Sequence, residues 1–155
     1  MTREELFKFI QEIEDPKRDY GKILSTLHFS HFYLMDKYKK ILQEYSLTLT
    51  QSNILGIITH YYPKPISLEE IKEMVLEPNA DVSRTVVRLA EKGYIEKVVN
   101  KANRRKVSIQ VTSKGMKIAK KIEGDGKFQN FTASFSLSDA KTLIRLLKKL
   151  RSANF

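Results

Sequence analysis

The 155-residue sequence predicts a mainly α-helical fold with one small β-hairpin, an α+β arrangement. Apolar residues recur at helical spacing along most of the chain. Alternating apolar and polar residues appear only near 94–99 and 106–112, two runs short enough to be the arms of a hairpin. No internal repeat and no low-complexity tract interrupts this pattern.

The first helix is expected over "EELFKFIQEI", where Leu6, Phe9, Ile10 and Ile13 share a face and Asp15-Pro16 ends it. A second helix runs from about Tyr20 to Tyr45. Its stripe of Leu24, Leu27, His31, Leu34, Met35, Tyr38, Ile41, Leu42 and Tyr45 has a period near 3.5. A helix that long cannot be covered by one small core, so part of the stripe is expected to meet another chain. Thr50 is expected to cap a third helix that buries Ile54, Leu55, Ile57 and Ile58 before "YYPKP" breaks it. Ser67-Leu68-Glu69-Glu70 reads as a capping box: Ser67 accepts from the Glu70 amide and the Glu70 carboxylate reaches back. The short helix it opens turns Leu68, Ile71 and Val75 inward. "EPNAD" is a turn, with Pro78 in the first turn of the next helix, where its missing N–H costs nothing.

That next helix, from about Asn79 to Lys92, buries Val82, Val86 and Leu89, and Gly93 stops it in a left-handed cap. Tyr94–Val99 and Lys106–Thr112 are the two strands, with Val107, Ile109 and Val111 alternating. Ser113 begins another helix, with Ile118, Ala119 and Ile122 inward, until "EGDG" disturbs it. A last helix from Ser138 carries Leu143, Ile144, Leu147 and Leu150. Two short helices joined by a turn and followed by a hairpin make a winged helix-turn-helix. The expected division is dimerisation helices over 1–45, the winged helix-turn-helix over 46–115, and further dimerisation helices over 116–155.

Charge points to a partner. The formal net charge is +10. Residues 62–81 are acidic on balance, whereas residues 82–107 hold eight basic side chains (Arg84, Arg88, Lys92, Lys97, Lys101, Arg104, Arg105 and Lys106) against Glu91 and Glu96. A switch of sign at residue 82 reads as a directed surface for a polyanion. Apolar residues are 41% of the chain, enough for a real core, and no apolar run is long enough to span a membrane. The charged N-terminus does not read as a secretory signal. The lack of cysteine excludes disulfides and cysteine-ligated metal, and it fits an expected cytoplasmic location. No nucleophile–base set, glycine-rich phosphate loop or HExxH is present, so no enzyme and no cofactor are expected.

Several stretches together resemble the MarR family of bacterial transcription regulators: "LTQSNILGII" (49–58), "SLEEI" (67–71), "VSRTVVRLAEKGYIE" (82–96) and "NRRKVSIQVTSKG" (103–115). The resemblance covers about residues 20–150. It implies a winged-helix homodimer that binds double-stranded DNA at a pseudo-palindromic operator. The expected mode is repression relieved by a small aromatic or amphipathic ligand. Two departures stand out. The family wing usually carries Asp-x-Arg, and here Asn103-Arg104-Arg105 lacks the bracing acid. Gly124 and Gly126 interrupt a helix that the family keeps long.

The residues suit that chemistry. A major groove admits a helix, and arginine grips guanine O6 and N7 with two parallel hydrogen bonds. Asn79, Ser83, Arg84, Thr85 and Arg88 are therefore the expected base and phosphate contacts of the recognition helix. In the wing, Arg105 suits a narrow minor groove, and Lys101, Asn103, Arg104 and Lys106 suit its rim and phosphates. Lys64 and Ser67 are weaker candidates for backbone phosphates. His28, Phe32, Tyr61 and Tyr62, with Phe29 and Tyr33, are candidates to line an effector pocket, against the plainer reading that they are core. His28 and His31 could hold a metal with Asp36 or His60, but packing is the commoner use of such a pair, and no metal is expected. The rival function is a winged-helix adaptor for protein partners, which would need no basic helix and wing.

Overall fold

The computed structural model describes residues 2–12, 19–77, 79–99, 107–131 and 133–152. They form two compact units, residues 1–49 and 50–155.

The first unit holds α1 (Arg3–Glu12) packed on α2 (Asp19–Glu44), close to the expected spans; Ile13 lies outside the described residues. Leu6 and Phe9 on α1 are exposed; of the predicted stripe on α2, Leu24, His31 and Leu34 are exposed, Leu27 and Met35 half-buried, and Ile41 and Leu42 at its end buried. The end of α2 is closed by a cap the sequence does not advertise. Ser46 takes the left-handed conformation (φ 54°), the Ser46 N–H donates to Gln43 O, and the Leu47 N–H reaches back to Leu42 O at 3.0 Å.

The second unit begins within α3 (Leu49–Tyr61), at Thr50. Thr50 is inside this helix rather than capping it, and its hydroxyl donates to Glu77 Oε2 at 2.9 Å. Ile54, Leu55 and Ile58 are buried as expected, but Ile57 is only half-buried, and Gln51 takes a buried place instead. The Gln51 amide oxygen accepts from Lys92 Nζ at 3.1 Å, which satisfies a polar group that burial would otherwise penalise.

The Ser67 capping box opens α4 (Leu68–Met74) as predicted. Its core contact is Ile71. Val75 is the C-cap residue beyond the helix. The next helix, α5, spans Val82–Glu91, shorter at its start than expected. Asp81 caps it by accepting the Arg84 N–H at 2.9 Å, so Asn79 belongs to the preceding turn; Pro78 lies outside the described residues. A carboxylate next to the helix's positive end makes a favourable cap. Gly93 stops the helix as predicted, with φ 69° and the Tyr94 N–H returning to Leu89 O.

Strands β2 (Ile95–Val99) and β3 (Val107–Val111) pair antiparallel, with Ile95 opposite Val111 and Lys97 opposite Ile109. Thr112 leaves the strand to cap α6 (Ser113–Glu123). A third strand, β1 (Ile66–Ser67), pairs on the other side of β3, giving the order β1-β3-β2. At two residues it is too short to show alternation. Ile66, Ile71, Val82, Val86, Leu89, Ile95, Ile109, Val111 and Ile122 are all buried. Within the unit, α4 packs on α5 and the sheet, α5 on β2, and α6 on β3.

Gly124 is the C-cap of α6, and a four-residue α7 (Gly126–Gln129) follows. The last helix, α8, spans Leu137–Arg151 and is capped by Ser136, not begun at Ser138. The Ser136 hydroxyl and N–H both bond Asp139 Oδ2, and these bonds hold the exposed Asp139 carboxyl below the usual carboxylate range. No residue of α8 is buried, and Leu143, Ile144, Leu146 and Leu150 are exposed.

Candidate nucleic-acid interface

Helix α5 is firmly held on one side. Val82, Val86 and Leu89 are 5%, 4% and 0% exposed, a triad at i, i+4 and i+7 that fastens it to the core. Its two ends are fixed by the Asp81 cap and by Gly93. Lys114 at the start of α6 reinforces the second end: its Nζ donates to Lys92 O at 2.7 Å and lies 5.2 Å from the centre of the Tyr94 ring. A helix held in this way presents its opposite face in one orientation.

That face carries Ser83, Arg84, Val87, Arg88 and Glu91, all exposed. Neither Arg84 nor Arg88 makes an ion pair or side-chain hydrogen bond among the described residues, so both guanidinium groups keep their donors for a partner. The Thr85 side chain is half-buried, and its hydroxyl donates to Asp81 O at 2.8 Å, leaving only its oxygen as an acceptor. Val87, which sequence reasoning passed over, is 46% exposed in the middle of the face. Its signal was available: it falls one turn from Ser83 on the side away from Val82, Val86 and Leu89.

The other predicted residues divide sharply. Lys64 is exposed after α3, with its N–H bonded to Tyr61 O. The Ser67 hydroxyl is committed in both directions, accepting from Glu70 N at 3.2 Å and donating to Glu70 Oε2 at 2.6 Å. With Glu69 and Glu70 in the same first turn, this helix end is negatively charged and poorly suited to phosphate. Lys101, Asn103, Arg104, Arg105 and Lys106 lie outside the described residues, in the segment that connects β2 to β3.

His28 and Phe32 are neighbours on α2, with ring centres 4.8 Å apart edge to face, and His31 meets the same Phe32 ring at 5.9 Å. Lower on that helix, Asp36 bonds Lys40 at 2.9 Å, which lowers its pKa. Tyr61 ends α3, and its hydroxyl lies 3.5 Å from Met74 Sδ; Tyr62 follows it and is exposed.

Comparisons with known proteins give the same fold. The fold matches MarR of E. coli complexed with operator DNA, with a TM-score of 0.70 and 22% identity over 88% of this chain and 99% of that one. It also matches S. aureus MepR in a DNA complex, with a TM-score of 0.71 and 18% identity over 83% of this chain and 95% of that one. The winged-helix architecture read from the sequence is therefore the observed one. In sequence, the chain is 33% identical over 81 residues to the HTH-type transcriptional regulator SarU of Staphylococcus aureus. That match covers 52% of this chain but only 32% of SarU. The family model of the transcriptional regulators SarA/Rot matches residues 36–122, more than half of the chain and the whole of the helix-turn-helix and hairpin, and the chain belongs to that family.

Proposed function

We propose that the protein is a DNA-binding transcription regulator that lays α5 in the major groove of double-stranded DNA. The observation that carries this reading is the outward face of α5, where two arginines, unpaired among the described residues, are mounted on a helix fixed at both ends. Arg84 and Arg88 are the assigned base contacts, with Ser83 serving a phosphate or base edge. Lys101, Arg104 and Lys106 are assigned to phosphates and Arg105 to the minor groove, on the strength of their charge and place in the chain. Asn79 and Lys64 are left as backbone contacts. Ser67 is not assigned one, because Glu70 already occupies its hydroxyl.

The working form is a homodimer on a two-part site. The support is apolar surface without cover: Leu24 on α2 is 63% exposed, and Ile144 on α8 is 54% exposed on a helix with no buried residue. A second copy is the partner whose helices match these faces, and two copies on one face of a duplex require half-sites about 10 bp apart.

The test is a titration of purified protein with duplex DNA at several salt concentrations, beside sedimentation at micromolar concentration. Sedimentation should give twice the 18.0 kDa chain mass. Affinity should fall with salt on a log–log slope of about −0.9 for each phosphate contacted. A monomer at that concentration refutes the dimer, and an affinity that does not change with salt refutes the DNA interface.

A further inference from the structure

The outward face of α5 contains one side chain that the arginine reading does not use. Val87 is 46% exposed, between Ser83 and Glu91 along the helix and flanked by Arg84 and Arg88. It is not part of the core triad of Val82, Val86 and Leu89, which are all buried. Nor does it serve the helix, because a β-branched residue is a weaker helix former than the charged or alanine side chains that suit such a position. An isopropyl group on a cationic, hydrogen-bonding face is available to an apolar group on an otherwise polar, anionic partner.

Resting on the proposal that α5 enters the major groove, we infer that Val87 reads the 5-methyl group of a thymine. That methyl is the only apolar group a base edge offers in the major groove, and it distinguishes T·A from every other pair at its position. Valine is suited to the task. Branching at Cβ leaves essentially one χ1 rotamer in a helix, so its methyls are held in place without extra cost on binding. The arginines on either side bring the groove wall close enough for van der Waals contact and exclude water around it. Each recognised half-site then contains a thymine next to the guanine positions that Arg84 and Arg88 contact.

The experiment has two stages and uses the full chain. Purified protein first selects duplexes from a randomised pool, which yields a preferred half-site. Each thymine of that half-site is then replaced by deoxyuridine, which removes the methyl and leaves base pairing unchanged. At one thymine, the wild type should lose about fourfold in affinity, the factor expected for one buried methyl. Val87→Ala should bind the thymine and deoxyuridine duplexes equally at that position, and Val87→Thr, which keeps one methyl and the branch, should retain part of the discrimination. The exposed position makes both variants fold like the wild type, which their unfolding midpoints check. If deoxyuridine costs the same in wild type and Val87→Ala at every position, Val87 does not read thymine, while the selected site leaves the major-groove reading standing. If the pool yields no preferred duplex, both proposals fall.

Discussion

Gly115→Ala is expected to cost the protein about 3 kcal/mol or more of folding stability. Gly115 is the third residue of α6 and is fully packed against the start of the hairpin. A Cβ built there falls onto the carbonyl oxygen of Tyr94, and it also comes within 2.9 Å of Val111 Cγ2. The obstruction on one side is backbone, so no rotamer change relieves it. That carbonyl accepts the Thr112 N–H at 3.0 Å, and the Thr112 hydroxyl both donates to Gly93 O and accepts from Gly115 N–H. Moving Tyr94 therefore disturbs the end of α5, the first residues of β2 and the cap of α6 together. Small domains are stable by only about 5–15 kcal/mol, so this one methyl removes a large fraction. Gly56→Ala is the control. Gly56 is exposed within α3 with nothing within 4 Å of its Cβ position, so alanine there should stabilise by about 0.5–1 kcal/mol. Urea unfolding of both variants checks the pair, with the midpoint falling for Gly115→Ala and rising for Gly56→Ala. Shifts of the same sign would show that the close approach to Tyr94 is wrong.

Replacing Arg84 and Arg88 together by alanine should weaken binding to the selected duplex roughly a hundredfold or more. Each bidentate arginine–guanine pair is worth about 1–3 kcal/mol of discrimination. Both side chains are exposed and unpaired among the described residues, so their removal leaves no buried charge behind, and the unfolding midpoint should stay within about 0.5 kcal/mol of wild type. Random duplex should lose much less, because charge alone holds it. The comparison is a competition titration of the selected and random duplexes against the variant. Equal losses on both would reduce the two arginines to phosphate contacts and shift base reading to another part of the face.

Much of this was legible from residue order, and the reasons differ by element. Gly93 was readable because glycine directly after an amphipathic run has one common use, and the observed φ of 69° is that use. The Ser67 box was readable because both partners lie within four residues. Ser46 was not, since serine seldom adopts the left-handed conformation and so gives no signal for it. The start of α5 was placed at Asn79 on the strength of Pro78, whereas the Asp81 carboxylate on the Arg84 N–H opens the helix three residues later. The last helix was read as starting at Ser138, and the Ser136 bonds to Asp139 place its cap two residues earlier. The constraint on Gly115 depends on a backbone atom 21 residues earlier, so no local pattern could reveal it. On the candidate interface, the inner face of Val82, Val86 and Leu89 already left Val87 outward, but an apolar side chain carries no charge signal for a polyanion as Arg84 and Arg88 do.

The most direct measurement is a heteronuclear NMR titration of the labelled protein with duplex DNA, following backbone amides and arginine Nε–H groups. With α5 in the groove, the largest changes should fall on Ser83, Arg84, Val87 and Arg88, with a second set in the 100–106 segment, while α1 and α8 stay nearly unchanged. Largest changes on α1 or α8, or none on α5 at a saturating duplex concentration, would contradict the account.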